Sequence, residues 1–554
     1  MSEFYQRFCT EGFDEDGILN RFELHYPENY NFGYDVVDAR AEETPDQRAL
    51  VWCNEEGETA EFTFAQMSRL SNQAANMFTD FGIKKGDKVI VVLKRHYQYW
   101  YTLVALNKIG AVVIPATHLL TKKDFVYRFN AADAVAIVCT GEGEVSEHVE
   151  QAQPECPTFS TKFLVRGGER EGWINFDEKL KEYPDTFARR ETKAADPFLI
   201  YFTSGTTGYP KMVMHDHTYS LGHIITARHW HTEEPGEMHL TVSETGWGKA
   251  AWGKLYGQWI VGSTIFVYDF EKFVAADLLR LIEKYRISTF CAPPTIFRFF
   301  IKEGMEGHDF SSVRYANIAG EALNPEVYHR FQEYTGLKLM EGFGQTETTL
   351  LLANLKGMEP KPGSMGKPSP MYHVDLVDED GNSVSPGEVG EIVVRTEEGK
   401  KQVGLFMGYY RDEEKTKAAW HDGMYHTGDT AWKDEDGYYW YVGRTDDVIK
   451  ASGYRIGPFE IESVLMEHPS VLECAVTGAP DPVRGQVVKA TIVLTRGYQP
   501  SEELKKELQN YVKKQTAPYK YPRIVEFVEE LPKTISGKIR RAQIRQENFQ
   551  KAGE

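Results

Sequence analysis

A segment rich in glycine and hydroxyl groups carries the clearest chemical signal in the sequence. It follows an apolar run, residues 197–202, that is typical of a buried strand. Its glycines let the backbone approach a polyanion closely, while its hydroxyls, N–H groups and lysine can bind phosphate oxygens. The spacing differs from that of a Walker A loop, and the composition alone also fits a flexible surface turn. The candidate phosphate ligands are Thr203, Ser204, Gly205, Thr206, Thr207, Gly208 and Lys211.

Six further short motifs follow in the second half of the chain. Each contains residue types that suit nucleotide or acyl chemistry, although any one of its carboxylates or lysines would by itself fit a solvated surface. The motifs are residues 320–322 (Gly-Glu-Ala), 341–347 (Glu-Gly-Phe-Gly-Gln-Thr-Glu), 425–429 (Tyr-His-Thr-Gly-Asp), 443–447 (Gly-Arg-Thr-Asp-Asp), 452–455 (Ser-Gly-Tyr-Arg) and 532–538 (Pro-Lys-Thr-Ile-Ser-Gly-Lys).

Taken in this order, the motifs resemble those of the adenylate-forming superfamily, which includes acyl-CoA synthetases, adenylation domains and luciferases. The similarity covers essentially the whole chain. Residues 481–485 and 519–523 are most similar to the medium-chain acyl-CoA synthetase branch. The resemblance implies an AMP-forming acid–thiol ligase that uses ATP, Mg²⁺ and CoA. Such an enzyme converts a carboxylic acid to acyl-AMP with release of pyrophosphate, and then to acyl-CoA with release of AMP.

The resemblance also assigns roles on the ATP side of the site. Lys538 would bridge carboxylate and phosphate during adenylation, Thr346 would bond the α-phosphate, and Glu347 would hold Mg²⁺. Asp429 would accept hydrogen bonds from the ribose hydroxyls, with Arg444 beside it. The remaining residues expected around adenine and phosphates are Gly320, Glu321, Ala322, Glu341, Gly342, Phe343, Gly344 and Gln345.

A second set of residues is implied for CoA and for a domain rotation between the two half-reactions. Asp446 matches the hinge of the family, so we expect an N-terminal AMP- and acyl-binding domain over residues 1–445 and a mobile C-terminal domain over residues 446–554. Rotation would withdraw Lys538 and bring the pantetheine passage to the site. The residues implied for CoA are Ser452, Gly453, Tyr454, Arg455, Arg484 and Arg523.

The acyl pocket is expected to involve Gly344 and Trp247. In acetate-using relatives a tryptophan occupies the position of Gly344, so its absence predicts a substrate larger than acetate. Medium-chain, branched and aromatic acids all fit this prediction. Trp247 fits a pocket wall and a buried core residue nearly equally. The alternatives are a short-chain (acetate or propionate) ligase and an adenylation enzyme that loads a carrier protein.

The positioning elements predict an α/β fold. Apolar runs alternate with amphipathic helices, such as that marked by Ala275, Leu278, Leu279 and Ile282, which indicates layered, mostly parallel sheets. Turn signals crowd together after about residue 365 and predict a small β-rich subdomain. The last hundred residues predict a smaller α+β domain.

Composition restricts the partners and the compartment. A net charge of −19 disfavours nucleic acid and anionic membranes, and no apolar run reaches the length of a membrane span. The early acidic residues and the lack of an apolar h-region predict no signal peptide. Six scattered cysteines favour reduced thiols, so we expect a cytoplasmic enzyme. A histidine-rich stretch, His215 to His231, fits no standard zinc spacing.

Overall fold

The structure is a computed structural model that describes residues 3–203, 209–321, 323–397, 402–451, 454–482, 484–534 and 538–553. The first part of the chain contains, in order, β1 (Cys9–Phe13), β2 (Leu19–Leu24), α1 (Ala39–Glu43), β3 (Arg48–Asn54), β4 (Thr59–Thr63), α2 (Phe64–Asp80), β5 (Lys88–Val92), α3 (Gln98–Ile109), β6 (Val112–Pro115), α4 (Lys122–Ala132), β7 (Ala134–Thr140), α5 (Val145–Ala152), β8 (Thr161–Val165), β9 (Ile174–Asn175), α6 (Phe176–Leu180) and β10 (Pro197–Thr203).

The middle of the chain continues the alternation of strands and helices. Its elements are β11 (Lys211–Asp216), α7 (Tyr219–Ile224), β12 (Met238–Thr241), α8 (Gly248–Gly253), α9 (Tyr256–Val261), β13 (Thr264–Asp269), α10 (Ala275–Lys284), β14 (Thr289–Ala292), α11 (Pro294–Glu303), β15 (Tyr315–Ile318), α12 (Pro325–Thr335), β16 (Leu339–Phe343) and β17 (Leu352–Ala353).

Strands dominate the next stretch, as the crowded turn signals predict. Its elements are β18 (Ser364–Pro368), β19 (His373–Val377), β20 (Val389–Arg395), β21 (Gly408–Tyr409), α13 (Glu413–Ala419), β22 (Trp420–His421), β23 (Met424–Lys433) and β24 (Tyr439–Arg444). The C-terminal part contains β25 (Ile449–Ala451), β26 (Tyr454–Ile456), α14 (Pro458–Met466), β27 (Val471–Asp481), β28 (Gly485–Leu494), α15 (Glu502–Gln515), β29 (Ile524–Val528) and α16 (Arg541–Gly553).

Within the described ranges, two large sheets form the body of the molecule. One runs β21-β11-β10-β6-β5-β7-β8-β9, with parallel pairing from β10 through β6, β5, β7 and β8 to β9. The other contains a parallel run β3-β13-β12-β14-β15-β16, which continues through β17 into the antiparallel β-rich part. Short helices connect the parallel strands, so the predicted α/β layering is confirmed.

The C-terminal α+β unit forms its own sheet, in the order β26-β25-β28-β27 with β29 beside β28. Helix α15 begins where the sequence predicts, because the Ser501 side chain accepts a hydrogen bond from the N–H of Leu504. Its buried face contains Leu504, Leu508 and Val512. The four apolar positions predicted for α10 are likewise all buried.

Two features of the structure concern the predictions on membrane spans and on cysteines. In the part of the chain that the structure describes, no helix is both long and apolar enough to cross a membrane. All six cysteines are buried and carry free thiols.

Candidate active site

The glycine-rich segment connects two antiparallel strands. β10 ends at Thr203 and β11 begins at Lys211, and these two residues are register partners, so they face each other where the two strands meet the loop. Ser204, Gly205, Thr206, Thr207 and Gly208 lie outside the described residues. The strand–loop–strand context that a phosphate cradle needs is therefore present on both sides of the loop.

Lys211 and Glu347 are brought together around a tyrosine that the sequence analysis did not single out. The hydroxyl of Tyr409 donates to Oε1 of Glu347 at 2.9 Å, and Nζ of Lys211 lies 3.5 Å from the same hydroxyl. Burial lowers the pKa of Lys211, and the nearby Glu347 carboxylate opposes that shift. The cluster combines one cation with one hard oxygen ligand, which suits a phosphate chain and its divalent cation.

A buried histidine binds the backbone of Thr346. Nε2 of His215 donates to the backbone carbonyl of Thr346 at 2.7 Å. On its other side, a Cβ placed on Gly248 would lie 3.3 Å from Oγ1 of Thr346. The glycine therefore leaves space beside the hydroxyl expected to bond the α-phosphate.

Asp429 occupies a buried position on β23, opposite Arg444 on β24 in the strand register. Its Oδ2 accepts from Nε2 of Gln345 at 2.5 Å and lies 3.5 Å from Nη1 of Arg444, while its Oδ1 accepts from the hydroxyl of Tyr441 at 3.1 Å. Burial raises the pKa of Asp429, and these partners together with Lys538 oppose the shift. A carboxylate offers about four acceptor sites, so one or more can still take a ribose hydroxyl.

The segments expected around adenine lie at the carboxyl ends of two adjacent parallel strands. Gly320 and Glu321 follow β15, and Glu341 is part of β16; Ala322 lies outside the described residues. Glu341 is buried, with Oε1 accepting from the N–H of Leu323 at 3.3 Å and Oε2 unpartnered. Burial raises its pKa to about 8. This edge is where open α/β sheets bind ligands.

Lys538 lies within electrostatic reach of the N-terminal site. Its charge acts on two buried groups there, Asp429 and Lys249, and its backbone N–H donates to Oγ1 of Thr534 at 3.1 Å. The charge of Lys538 thus acts to lower the pKa of the ribose-side carboxylate, Asp429, from across the chain.

The expected hinge residue connects two arginines. Oδ1 of Asp446 lies 3.9 Å from Nε of Arg444, and Oδ2 lies 3.4 Å from Nη2 of Arg545 on α16. Arg545 also forms an ion pair with Asp447. The segment between β24 and β25 is thus tied to the last helix of the chain.

The residues expected to bind CoA are only partly described. Ser452, Gly453 and the Arg455 side chain lie outside the described part. Tyr454 is half-exposed and stacks on Tyr519, with ring centroids 4.1 Å apart. Arg484 precedes Gly485, the register partner of Ala451.

The remaining arginine expected at CoA belongs to a nearby surface segment. Nη1 of Arg523 donates to the hydroxyl of Tyr521 at 3.0 Å. Positive charge and exposed aromatic rings therefore share this surface of the C-terminal unit, a combination suited to a phosphorylated nucleotide such as CoA.

A tryptophan from helix α8 fills the space beside Gly344. A Cβ placed on Gly344 would lie 2.7 Å from Cζ2 of Trp252, so no larger residue fits there. The sequence predicts an open space beside this glycine; in the structure, an indole from a different element occupies it. Trp247, the N-cap residue of α8, is only partly buried, which removes its interpretation as a core residue.

The histidine-rich stretch does not converge on one point. The histidines have separate partners: His215 bonds Thr346, His217 stacks on Phe198, His223 bonds Thr226, His229 pairs with Glu11, and His231 pairs with Glu233. Ligand atoms of His231, Glu233 and His239 do lie within 4.8 Å of one another. In this buried cluster Gln258 donates to Glu233 and His239 bonds two threonines, whereas Nε2 of His231 has no hydrogen-bond partner among the described residues.

Comparison with known proteins identifies sequence relatives along almost the whole chain. The profile of the AMP-binding enzyme family matches residues 37–410, and that of the AMP-binding enzyme C-terminal domain matches residues 460–538. Acyl-coenzyme A synthetase ACSM5, mitochondrial, of Homo sapiens is 44% identical over 534 residues, covering 95% of this chain and 92% of that protein. Acyl-coenzyme A synthetase ACSM4, mitochondrial, of Mus musculus is 42% identical over 548 residues, covering 97% and 94%.

Solved structures show the same architecture. An anthranilate CoA ligase, AuaEII, bound to anthranoyl-AMP has a TM-score of 0.86 and 28% identity, covering 96% of this chain and 99% of that one. A benzoate CoA ligase from Burkholderia xenovorans LB400 has a TM-score of 0.81 and 25% identity, covering 93% and 100%. Both similarities extend through the large and the small units of the fold.

Proposed function

Because this chain belongs to the AMP-binding enzyme family, we propose that it is an AMP-forming acyl-CoA synthetase. An oxygen of the acid attacks the α-phosphorus of ATP, the bond to pyrophosphate breaks, and acyl-AMP forms. The CoA thiol then loses its proton and attacks the acyl carbon, and AMP leaves with the electrons of the carbon–oxygen bond. The observation that supports the proposal is that Lys211 and Glu347 both contact Tyr409, that Arg444 pairs with Asp429, and that the charge of Lys538 acts on Asp429.

On the ATP side, each group acts by position and charge. Asp429 and its partners hold the ribose, while Lys211 and the glycine-rich loop hold the phosphates. Glu347 offers the carboxylate oxygen that Mg²⁺ prefers, and the cation would neutralise charge on the phosphates. Lys538 follows the charge that develops between carboxylate and phosphate. No covalent enzyme intermediate is needed, because AMP itself activates the acid.

For the acid, we propose a medium-chain, branched or aromatic substrate. The family relatives support an acyl-CoA product, and anthranilate and benzoate ligases share the fold. The indole of Trp252 beside Gly344 narrows one side of the site and favours a compact acid over a long straight chain. The same observation keeps a short-chain ligase as the second candidate.

The test is a panel of carboxylic acids with MgATP and CoA, scored by release of AMP and pyrophosphate and by formation of the thioester. A compact branched or aromatic acid should give the highest kcat/KM. Activity confined to acetate would overturn the substrate proposal, and acyl transfer only to a phosphopantetheinyl protein would favour the carrier-loading alternative. Release of ADP instead of AMP would overturn the reaction itself.

We propose that the enzyme acts in the cytoplasm, since its buried free cysteines suit a reducing compartment. The two named relatives are mitochondrial by name. Cell fractionation followed by immunodetection tests this; recovery in an organelle fraction would contradict it.

A further inference from the structure

Tyr409 stands between two opposite charges in the phosphate region of the site. It belongs to β21, which pairs antiparallel with β11, and Val213 is its register partner. Lys211 lies two residues before Val213 on β11, and residues two apart on a strand share a face. Lys211 and Tyr409 therefore project from the same face of the sheet. The aromatic ring lies under the ammonium group, with Nζ of Lys211 4.6 Å from the ring centroid.

Backbone hydrogen bonds fix this tyrosine from both sides. The N–H of Phe406 donates to the carbonyl of Glu347 at 2.8 Å, and the N–H of Tyr410 donates to the carbonyl of Met212 at 2.8 Å. The segment around Tyr409 therefore bridges the strand that carries Lys211 and the segment that carries Glu347. Tyr409 is 7% exposed, so its ring and hydroxyl have little freedom to leave this position.

The hydroxyl and the ring interact with opposite charges. The hydroxyl donates to Oε1 of Glu347 at 2.9 Å, while the ring faces the Lys211 ammonium. A tyrosine phenol keeps its proton at neutral pH, so the Tyr409 hydroxyl is the donor in this contact. A hydrogen bond to one carboxylate oxygen fixes the carboxylate plane without neutralising its charge.

The Lys211 ammonium and the Glu347 carboxylate both contact the Tyr409 hydroxyl. Opposite charges that are near each other attract strongly where water is scarce. If they paired directly, the ion pair would have to break before the lysine could bind phosphate and the carboxylate could bind a cation. We propose that Tyr409 is a positioning residue that prevents this pairing and holds Glu347 ready for the divalent cation of the nucleotide. This inference rests on the proposed function, because it presumes that MgATP is the ligand.

The test compares ATP binding with and without Mg²⁺ by calorimetry in the wild type, Tyr409→Phe and Tyr409→Leu. Phenylalanine keeps the ring under Lys211 and removes only the donor. In EDTA we expect Tyr409→Phe to bind ATP as tightly as the wild type does. The increase in ATP affinity on adding Mg²⁺ should be about tenfold smaller in Tyr409→Phe than in the wild type. Tyr409→Leu should also weaken binding in EDTA, because Lys211 then becomes free to pair with Glu347.

Tyr410→Phe is the matched control, since the ring of Tyr410 faces Lys88 instead, at 5.3 Å. It should bind ATP as the wild type does under both conditions. Equal Mg²⁺ dependence in wild type and Tyr409→Phe would overturn the role of Tyr409, as would equal losses with and without Mg²⁺. A wild-type protein that binds no ATP would instead overturn the proposed function, so the two failures are distinguishable.

Discussion

The indole of Trp252 packs directly against the backbone of Gly344, two residues before Thr346. The ring is 7% exposed, and its neighbours include Trp230, with ring centroids 6.4 Å apart. A Cβ at position 344 would collide with this ring and with the backbone carbonyl of Thr349, so only glycine fits there. Under the proposed function, the side chain that closes the acyl pocket therefore comes from α8 and not from position 344.

Shortening this side chain should therefore widen the acyl pocket. We expect Trp252→Ala to raise kcat/KM for longer acids by at least about tenfold relative to the preferred compact acid, because a methylene contributes about 0.8 kcal/mol when buried. Competition assays with a series of straight-chain acids measure this change.

The substitution also leaves a cavity that costs about 3–5 kcal/mol of stability, so Trp252→Phe serves as the milder companion variant. Trp252→Phe should show a smaller rise in the kcat/KM for longer acids relative to the preferred compact acid. An unchanged order of acid preference in both folded variants would contradict the assignment of Trp252 to the pocket.

The second prediction separates the two half-reactions. Lys538→Ala should slow carboxylate-dependent pyrophosphate exchange by about 100-fold or more, since it removes a charge that acts on the transition state. Thioester formation from supplied acyl-AMP should stay within about threefold of the wild type. Lys533→Ala is the control, because Lys533 lies in the same segment and pairs with Glu473 at 2.8 Å within the C-terminal unit. Equal loss of both half-reactions would argue against the role of Lys538.

The third prediction concerns the hinge. Arg545→Ala removes the contact of α16 with Asp446 and Asp447. Partly exposed ion pairs contribute about 0.2–1 kcal/mol, so pyrophosphate exchange should slow by about two- to fivefold while the thioester step is retained. Gln543→Ala, on the same helix, should leave both steps unchanged. Two results would contradict the role of this ion pair in the domain arrangement. One is an Arg545→Lys variant with exchange as slow as in Arg545→Ala; the other is an equal loss of exchange and thioester formation in Arg545→Ala.

The fourth prediction is a pH effect on stability. The pKa of Glu341 is raised to about 8 by burial, against about 4.3 in the unfolded chain. Between these values the unfolded chain releases the proton and the folded protein keeps it, so the free energy of unfolding falls as pH rises, by up to about 1.4 kcal/mol per pH unit.

Glu341→Gln mimics the protonated side chain and should lose this dependence. Its advantage in Tm over the wild type should therefore grow from about pH 5 to about pH 8. Thermal unfolding without nucleotide measures it, with the exposed Glu435→Gln as the control. Parallel Tm curves for wild type and Glu341→Gln would show that Glu341 is ionised in the folded protein.

Local sequence patterns were enough to place much of the fold. The spacing of Leu278, Leu279 and Ile282 predicts α10, which the structure confirms. The roles of Asp429 and Arg444 rest on resemblance to a family; in the structure the two residues are register partners on β23 and β24. The α10 prediction succeeds because apolar residues at helical spacing mark the buried face of their own helix.

Tyr409 and Trp252 could not be predicted in the same way. Tyr409 meets Lys211 across 198 positions of sequence, because β21 leaves the β-rich part and joins the sheet that contains β11. The sequence around Trp252 indicates only an apolar residue of a short helix. Its contact with Gly344 depends on how α8 packs against the segment that follows β16. Tertiary packing, which no local period encodes, decides both contacts.

The separation of Trp252 from the phosphate-binding groups has a consequence for how this enzyme can diversify. Selection, natural or in the laboratory, can exchange the residue on α8 while Thr346 and Glu347 keep their identities. Under the proposed function, one codon in α8 would then change the preferred acid while the residues for nucleotide chemistry stay the same, so the two properties could change separately.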